Sequence, residues 1–358
     1  MISSLVSRKV LLIGPDYIGH RGGIGALLDI YKDHYEVFNF IPSFKNLPSK
    51  SQKLVFFIKQ LVRIIAFLRK NKEIQVLHIH SAKDGSLYRK LIIAFLAKKF
   101  FRKKVINHIH TGHFKHFYDE SNWISKKSIR YFLSLNDATI TVSDFWKGYF
   151  IESFSLNNVF KVNNIVSIAK QDNSIKEEKI LNFLFLGVIT KKKGIFDLVD
   201  TIAENKEILE NKAKLIICGS GDTDDLLDLI KIGGLENCID YRGWVTGEEK
   251  KCLLQVSDVY VLPSYFEGVP ISILEAMSCG MPIISTNVGG IPEVVENGVN
   301  GLLIAPGDRK AILQALLYYI NNFGKVEDHG KQSLQKIKEY FPESVTRELE
   351  EIYTRLIV

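Results

Sequence analysis

The feature that most constrains the fold of this chain is a recurrence of short apolar runs, six in each half of the sequence. The runs are rich in β-branched and aromatic residues and are bounded by turn signals, which is typical of strands buried on both faces. Because helix-length segments separate the runs, we predict an α/β protein with parallel sheets joined by right-handed crossovers. The runs of the first half are Val10–Gly14, Glu36–Phe40, Val76–His80, Lys104–His110, Ala138–Ser143 and Val159–Ile165. Those of the second half are Asn182–Gly187, Lys214–Gly219, Ile239–Trp244, Val259–Ser264, Pro282–Thr286 and Gly301–Ala305.

A polar stretch without apolar periodicity, QDNSIKEEK at Gln171–Lys179, separates the two series of runs. The 358 residues of the chain exceed a typical single domain of roughly 100–200 residues. We therefore predict a Rossmann-like N-terminal domain at 1–172 and a second Rossmann-like domain at 173–340. An amphipathic helix in the last segment, 341–358, is predicted to pack back on the first domain. Ligands of such sheets bind at the carboxyl ends of the strands, so the expected site is a cleft that both sheets face.

Charge and cysteine content narrow the class of protein. The net charge is +7, but it is divided unevenly, with +15 on residues 1–172 and −8 on residues 173–358. This asymmetry suggests different partners for the two halves, although solvated helix faces would give the same pattern. The four cysteines lie far apart, and no apolar run approaches the roughly 20 residues of a membrane span. We therefore expect a reduced, cytoplasmic protein without a thiolate zinc site.

The densest chemical signal is the segment Pro263–Val294, PSYFEGVPISILEAMSCGMPIISTNVGGIPEV. A helix is predicted to begin near Pro270, where its free N–H groups would suit a pyrophosphate. Gly268 lets the backbone approach a ligand closely. Glu275 lies about 7.5 Å along that helix, a position from which a carboxylate can accept two hydrogen bonds from a ribose diol. The alternative is an exposed helix residue, but the apolar string ISILEAM around the charge argues against it.

Two glutamates, Glu267 and Glu275, stand within E-G-x-P-x-x-x-L-E-A-M-x-x-G-x-P, which is followed by V-G-G-I-P-E. This pattern resembles retaining glycosyltransferase family 4 of the polysaccharide-biosynthesis type, and the resemblance is strongest over Gly187–Asp308. It implies the GT-B fold, with two Rossmann-like domains facing a cleft and the donor held mainly by the second. It also implies that Glu275 binds the donor ribose and that Glu267 contacts the transferred sugar and takes part in catalysis. The backbone at Gly268 and Val269 would then lie near the sugar and phosphates.

The loop after the run Asn182–Gly187 carries three consecutive lysines, in FLFLGVITKKKG. A lysine is a point charge that can neutralise a diphosphate, whereas a solvated turn is the plainer interpretation. In the family an arginine and a lysine grip the phosphates here. Lys193 matches that catalytic, donor-binding lysine, and Val188 occupies the arginine position. One expected cation is therefore missing, unless Lys191 or Lys192 replaces it.

Weaker signals for donor binding come from glycines and a tryptophan. Gly219, in ICGSGD, resembles a donor-side loop, although tight packing explains such a glycine turn equally well. Trp244, in RGWVTGE, either stacks on the nucleotide base or fills the core. Gly22 and Gly23 resemble the family's glycine loop near the donor phosphates, where glycine N–H groups can bind an anion.

Histidines concentrate in the first domain. His78 and His80 leave one face of a predicted strand, and His108 and His110 leave one face of another. A metal cluster is conceivable because imidazole is a common ligand, but no carboxylate stands at helpful spacing, and we predict neither a metal site nor a cofactor. By resemblance, His110 is catalytic and would hydrogen-bond the donor sugar or stabilise charge in the transition state. The acceptor contacts that the resemblance implies are Ser86, Arg89, Lys90 and His113.

The resemblance, taken together with these patterns, implies a retaining hexosyltransferase of surface polysaccharide biosynthesis. The expected donor is a UDP- or GDP-sugar, and the expected acceptor is a glycan or a lipid-diphosphate-linked glycan. Transfer is predicted to be metal-independent, and no nucleic-acid partner is expected. Two alternatives stay open: a nucleotide-sugar epimerase or phosphorylase of the same fold, and a non-catalytic nucleotide-sugar-binding protein.

A basic amphipathic segment, Lys53–Lys70, reads KLVFFIKQLVRIIAFLRK. Such a helix can lie on an anionic membrane surface, and this would make the protein peripheral on the inner face of the membrane. The alternative is that its apolar stripe packs on the first sheet. The stripe consists of Leu54, Phe57, Ile58, Leu61, Ile65 and Leu68.

Overall fold

The computed structural model describes residues 1–18, 22–82, 85–110, 112–168 and 180–357. The chain forms two compact units. Unit 1 comprises Met1–Val166 and Glu339–Val358, and unit 2 comprises Ser167–Lys338. The units divide after residues 166 and 338, compared with the predicted 172 and 340. The predicted boundary segment, 171–179, lies outside the described residues.

In its described residues, unit 1 contains a parallel sheet of six strands in the order β2-β1-β3-β4-β5-β6. The strands are β1 (Val10–Pro15), β2 (Phe40–Phe44), β3 (Val76–Ser81), β4 (Lys104–Ile109), β5 (Ala138–Thr141) and β6 (Val159–Lys161). The helices that connect them are α1 (Ser4–Ser7), α2 (Gly23–Asp33), α3 (Lys50–Lys70), α4 (Gly85–Lys99), α5 (Phe114–Glu120), α6 (Trp123–Ser134) and α7 (Asp144–Phe154).

Alternate residues of the unit 1 strands face two different layers. Leu77 and Ile79 of β3 belong to an apolar core that includes residues of α3, α4, α6 and α7. The period of two along a strand turns the intervening His78 and His80 to the opposite face. There His78 contacts the hydroxyl of Tyr353. Unit 1 therefore has one apolar face and one face with a polar network.

The described part of unit 2 contains a second six-stranded parallel sheet, ordered β12-β11-β10-β7-β8-β9. Its strands are β7 (Leu181–Leu186), β8 (Ala213–Cys218), β9 (Ile239–Gly243), β10 (Val259–Leu262), β11 (Ile283–Thr286) and β12 (Gly301–Ile304). Its helices are α8 (Ile195–Glu204), α9 (Lys206–Leu209), α10 (Thr223–Ile232), α11 (Gly247–Val256), α12 (Ile271–Ser278), α13 (Ile291–Val294), α14 (Arg309–Asn321) and α15 (Gly324–Lys336). Short 3₁₀ turns occur at Lys191–Lys193 and Ile337–Tyr340.

After unit 2 the chain returns to unit 1 as helix α16 (Pro342–Leu356). The backbone N–H of Ser3 donates to the Glu350 carboxylate at 3.0 Å. The hydroxyls of Tyr35 and Tyr353 lie 2.7 Å apart. The apolar stripe of the helix is buried, including Leu349 at 0% exposure. Helix α16 thus covers the polar face of the unit 1 sheet.

The predicted strand Glu36–Phe40 is wrong in position, because β2 begins at Phe40 and runs through Pro42 to Phe44. Read alone, a proline indicates the end of a strand. In the described sheet, however, β2 is an edge strand paired with β1, and an edge strand tolerates a residue that cannot donate to the ladder. Whether a proline ends a strand therefore depends on whether that strand lies at the edge of the sheet or inside it.

Helix α3 divides its apolar residues between the interior and solvent. Phe57 and Leu68 of the predicted stripe are buried, whereas Leu54 and Ile58 are 58% and 51% exposed. Val62, outside that stripe, is 61% exposed. None of the helices in the described ranges combines the length and apolarity that crossing a bilayer requires.

Candidate functional site

The loops after β7 and β10 lie side by side at the carboxyl edge of the unit 2 sheet. These strands pair where the strand order reverses, the point at which open α/β sheets bind ligands. Gly194 in the first loop has a φ of +68°, and a Cβ there would lie 1.9 Å from the Pro263 carbonyl oxygen. The N–H of Tyr265 donates to the Lys192 carbonyl at 2.9 Å. Only glycine at position 194 allows the two loops to pack this closely.

A second glycine contact fixes the backbone of the loop that carries Glu267. Gly289, after β11, has a φ of +55°, and a Cβ there would lie 1.9 Å from the Glu267 carbonyl oxygen. The N–H of Gly290 donates to the Gly268 carbonyl at 2.8 Å. Close packing therefore requires glycine at position 289, and the backbone N–H of Gly290 helps to hold the loop that the resemblance assigns to the donor.

Lys193 and Glu267 form an ion pair that joins the two loops. Lys193 ends the 3₁₀ turn after β7, and Glu267 follows β10. The Glu267 side chain is 10% exposed and that of Lys193 is 28% exposed. The structure thus brings together the two residues that the sequence predicted for catalysis in unit 2, in a sheltered position that still opens to solvent.

Glu275 makes a second ion pair of the same kind. Each carboxylate oxygen of Glu275 lies 2.6 Å from the ammonium of Lys250. Glu275 is on α12 and Lys250 is on α11, and their side chains are 21% and 28% exposed. Sequence reasoning missed Lys250, because nothing in the local pattern GEEKKCLLQV indicates which of its lysines faces a glutamate on another helix.

The start of α12 lies close to its predicted position. Pro270 is the N-cap residue, with extended backbone, and the helix follows at Ile271. Val269 is 5% exposed, and Gly268 is also buried. The side chain of Val269 therefore packs in the interior, which leaves its backbone as the part that a ligand could meet.

The remaining unit 2 candidates lie around the same edge of the sheet. A Cβ at Gly219 would lie 1.9 Å from the Gly187 carbonyl oxygen, so close packing is sufficient to explain this glycine. The Tyr241 hydroxyl donates to the Gly219 carbonyl at 2.9 Å. Trp244 is half-buried just after β9. Val188, at the position of the expected arginine, is 44% exposed.

Gly22 and Gly23 lie at the start of α2, the helix that follows β1. Gly22 is the N-cap residue, and its carbonyl accepts from the N–H of Gly25 at 3.1 Å. The residues immediately before them, 19–21, lie outside the described residues. The two glycines thus open an eleven-residue helix at the carboxyl end of a central strand.

Four side chains of β3 and β4, His78, His80, His108 and His110, form what we call the histidine cluster. The Nε2 of His78 lies 3.2 Å from the Nδ1 of His108, and the Nδ1 of His80 lies 2.9 Å from the Nε2 of His110. Burial lowers the pKa of His78 and His110 to about 3, and it holds the pKa of His80 and His108 well below the ordinary value. All four imidazoles are therefore neutral at neutral pH.

His110 is the member of the cluster at the carboxyl end of β4, and part of its surface is exposed. Its ring stacks on that of His108, with centroids 4.0 Å apart. Because the ring is neutral, His110 can exchange hydrogen bonds with a sugar but carries no positive charge. His113, the other histidine predicted for this region, is the half-buried N-cap residue of α5.

The three acceptor candidates on α4 differ in where their side chains lie. Ser86 is half-buried, and the guanidinium of Arg89 lies over the Phe44 ring at 4.7 Å. Lys90 is 2% exposed and donates to the hydroxyl of Ser43 inside the unit. Burial lowers the pKa of the Lys90 ammonium well below its ordinary value. Lys90 therefore faces the interior, away from the surface where an acceptor would bind.

The comparisons with known proteins agree with this chemistry. Residues 167–336, nearly all of unit 2, match the family Glycosyl transferases group 1. An uncharacterized glycosyltransferase of Methanocaldococcus jannaschii is 36% identical over 46% of this chain and 40% of its own length. The amylovoran biosynthesis glycosyltransferase AmsK of Erwinia amylovora is 31% identical over 49% of this chain and 45% of its own length. The matched region thus spans less than half of each relative, and these similarities support a glycosyltransferase.

Anabaena HepE, solved in complex with UDP, has a similar structure. The TM-score is 0.74 at 18% identity, and the match covers 97% of this chain and 100% of HepE. A likeness at this identity shows the fold. The predicted α/β class, GT-B with two parallel Rossmann-like sheets, is therefore confirmed.

Proposed function

We propose that this chain is a retaining glycosyltransferase that transfers a sugar from a UDP- or GDP-sugar to a glycan or lipid-linked glycan in surface polysaccharide assembly. The observation that carries the proposal is the presence of two half-sheltered Lys–Glu ion pairs at the carboxyl edge of unit 2, Lys193 with Glu267 and Lys250 with Glu275. Carboxylates accept hydrogen bonds from sugar and ribose hydroxyls, and ammoniums neutralise diphosphate. The UDP complex of HepE and the polysaccharide role in the name of AmsK support the donor and the product class.

The donor would bind by replacing contacts within the ion pairs. The diphosphate attracts the ammonium of Lys193, and this frees the carboxylate of Glu267 for hydroxyls of the transferred sugar. The carboxylate of Glu275, about one and a half turns into α12, takes the ribose diol, and Lys250 keeps it oriented. Binding therefore exchanges one set of partners for another: the ammonium of Lys193 turns to the diphosphate, and the carboxylate of Glu267 accepts hydrogen bonds from sugar hydroxyls.

The transfer step would proceed with retention. The bond from the anomeric carbon to the diphosphate oxygen breaks while the acceptor hydroxyl attacks from the same face, and the hydroxyl proton passes to the departing phosphate. Lys193 stabilises the negative charge on that phosphate, so the proposal needs no metal at the diphosphate. Neutral His110 contributes a hydrogen bond to the sugar. Addition of Mg²⁺ or Mn²⁺ is therefore expected to leave the turnover number unchanged.

The decisive experiment is a donor screen followed by product analysis. Purified chain is mixed with UDP- and GDP-sugars, and the correct donor raises Tm because it binds the folded state. The product formed with a glycan acceptor is then examined by NMR, and an anomeric configuration equal to that of the donor supports retention. Donor turnover without an acceptor would indicate an epimerase or a phosphorylase. Donor binding without any turnover would indicate a non-catalytic binding protein.

Unit 1 is proposed to bring the enzyme to the cytoplasmic face of the membrane through α3. The exposed apolar side chains of Leu54, Ile58 and Val62 stand on a helix that also carries Lys59 and Arg63 at its surface. Each such cation contributes about 1 kcal/mol near an anionic surface.

Liposome co-sedimentation tests the attachment. Binding should rise with anionic lipid, fall with salt and weaken in a variant that carries both Ile58→Ser and Val62→Ser. The matched control is Ile232→Ser, which removes an isoleucine that is 85% exposed in unit 2 and should bind like wild type. Absence of binding even at low salt would leave a transferase without membrane attachment.

A further inference from the structure

The histidine cluster contains three imidazoles that the proposed transfer reaction does not use. His78, His80 and His108 are at most 1% exposed and lie on the polar face of the unit 1 sheet. One ligand nitrogen from each lies within 4.8 Å of those from the other two. Strand pairing enforces this proximity, since His80 stands opposite His108 in the register of β3 and β4.

Two of these rings carry a nitrogen that the surrounding protein leaves unsatisfied. The Nε2 of His80 and the Nε2 of His108 are buried, and neither has a hydrogen-bond partner in the part of the chain that the structure describes. Nearly all buried polar groups in folded proteins are paired. His80 therefore has a buried ring nitrogen that no neighbouring group among the described residues satisfies and that a ligand can occupy.

We propose that His78, His80 and His108 bind a divalent transition-metal ion, with Zn²⁺ as the first choice. A tetrahedral zinc with Zn–N bonds of 2.0–2.1 Å holds two ligand nitrogens about 3.3–3.4 Å apart. The Nε2 of His78 and the Nδ1 of His108 already stand 3.2 Å apart. The third ligand would be the Nε2 of His80, since the Nδ1 of that ring contacts His110. Imidazole nitrogens select zinc, copper, nickel or iron over magnesium or calcium.

The side chains around the cluster match the usual surroundings of a metal-binding histidine. Such a histidine donates its second ring N–H to a nearby acceptor, which fixes the orientation of the ring. The Nδ1 of His78 contacts the hydroxyl of Tyr353, which in turn lies 2.7 Å from the hydroxyl of Tyr35. The ion would thus join β3 to β4 directly, and the hydrogen bonds of His78 would extend this link to Tyr353 of α16 and to Tyr35, which follows α2. This role is structural and does not depend on the proposed function.

Metal analysis of untagged, full-length protein tests the site. The protein is stripped with EDTA, exchanged into metal-free buffer, incubated with ZnSO₄ and passed through a desalting column. We expect about one retained Zn²⁺ per chain by mass spectrometry, and a rise in Tm of roughly 5–10 °C at a hundredfold excess of free Zn²⁺ over Kd. Co²⁺ in place of Zn²⁺ should give the visible d–d absorption of a low-symmetry nitrogen site. Retention below about one ion in ten chains would overturn the proposal.

Variants separate the cluster from other histidines. His80→Asn and His108→Asn should each lose the retained Zn²⁺ and the rise in Tm, with far-UV circular dichroism confirming the fold. The matched control is His329→Asn in unit 2, where the ring is 4% exposed and its Nδ1 lies 2.9 Å from the Tyr319 hydroxyl. That variant removes a similar His–Tyr contact without touching the cluster, so it should keep full Zn²⁺ retention. Zn²⁺ retention by His80→Asn and His108→Asn equal to that of wild type would contradict the assignment.

Discussion

The two units place their polar side chains in opposite ways. Unit 1 buries three imidazoles and the amino group of Lys90 between its sheet and its helices. Unit 2 holds the charges of its candidate donor site as ion pairs beyond the ends of its strands, where the side chains of Lys193 and Lys250 are each 28% exposed. In unit 1 the polar groups contact one another inside the fold. In unit 2 they remain open to a competing ligand.

This difference between the two units indicates which polar groups can exchange their hydrogen-bond partners for a ligand. A buried neutral imidazole or a buried ammonium gains little from a ligand that cannot reach it, and it costs free energy of unfolding when its partners are incomplete. A partly exposed ion pair contributes modestly to stability, yet each member can change its partner when a diphosphate or a diol arrives. Substitutions in unit 2 should therefore act on ligand binding, and substitutions in unit 1 should act on stability.

The largest expected effect is that of Lys193→Ala. Removing the cation that is proposed to face the leaving diphosphate should lower kcat about 10²–10³-fold, the usual cost of losing one stabilising donor. Steady-state kinetics with the identified donor measures this. Lys251→Ala is the matched control, because Lys251 also pairs with a glutamate, Glu248, but is 68% exposed. Equal rates for the two variants would place the phosphate contact elsewhere.

The next effect is on donor affinity. Glu275→Gln keeps the shape of the side chain but removes the charge from its hydrogen bonds, which should cost about 1.5–3 kcal/mol of nucleotide binding. Calorimetric titration with UDP or GDP measures the change. Glu296→Gln, which removes the carboxylate of an exposed ion pair with Lys336, should bind like wild type. Unchanged affinity in a folded Glu275→Gln protein would remove this residue from the donor site.

In unit 1 the sharpest test is Lys90→Met, which should raise the free energy of unfolding by about 1–3 kcal/mol at pH 7. Burial lowers the pKa of Lys90 in the folded state, so between that lowered pKa and about pH 10.4 the unfolded chain binds a proton that the folded chain lacks. The stability of wild type should therefore rise with pH towards that value. Urea unfolding at several pH values measures the difference between the two proteins. If their curves run parallel, Lys90 is not the group responsible.

The smallest expected effect is that of Val188→Arg. Val188 is 44% exposed, so an arginine there costs little packing and adds a solvent-screened cation near the phosphates. We expect donor binding to tighten by roughly 0.5–1 kcal/mol, as measured by the same calorimetric titration. Val188→Arg can be compared in two backgrounds: the otherwise wild-type protein and a variant that carries Lys191→Ala and Lys192→Ala. If the substitution tightens donor binding only in the second background, the two lysines already fill the role of the arginine.

Much of the fold of unit 2 and the position of its main motif could be predicted from the sequence, because the signals are local. The motif that contains Glu267 and Glu275 is contiguous, and the strand before it ends within a few residues of the predicted position. The ion pair of Lys250 could not be predicted, because its partner Glu275 lies on a different helix and no spacing rule relates the two residues. The roles of the motif residues stay predictions until the variants above are measured.

Unit 1 was harder to predict because its contacts join distant parts of the chain. The alternation of histidines predicted that His78 and His80 share a face, which is correct for β3. It did not predict Tyr353, which reaches His78 from 275 residues later in the sequence. The start of β2 was misplaced because the tolerance for Pro42 depends on the strand being at the edge of the sheet.

The late position of helix α16 in the chain determines which unit can finish folding first during synthesis. Ribosomes add about 5–20 residues per second, so Tyr353 is added roughly 10–40 s after Val166. During that interval the nascent chain has all six strands of the unit 1 sheet but lacks the helix that covers its histidines. Unit 2 has no such delay, because its strands and helices are contiguous in the chain. The second unit to be translated is therefore the first that can finish folding.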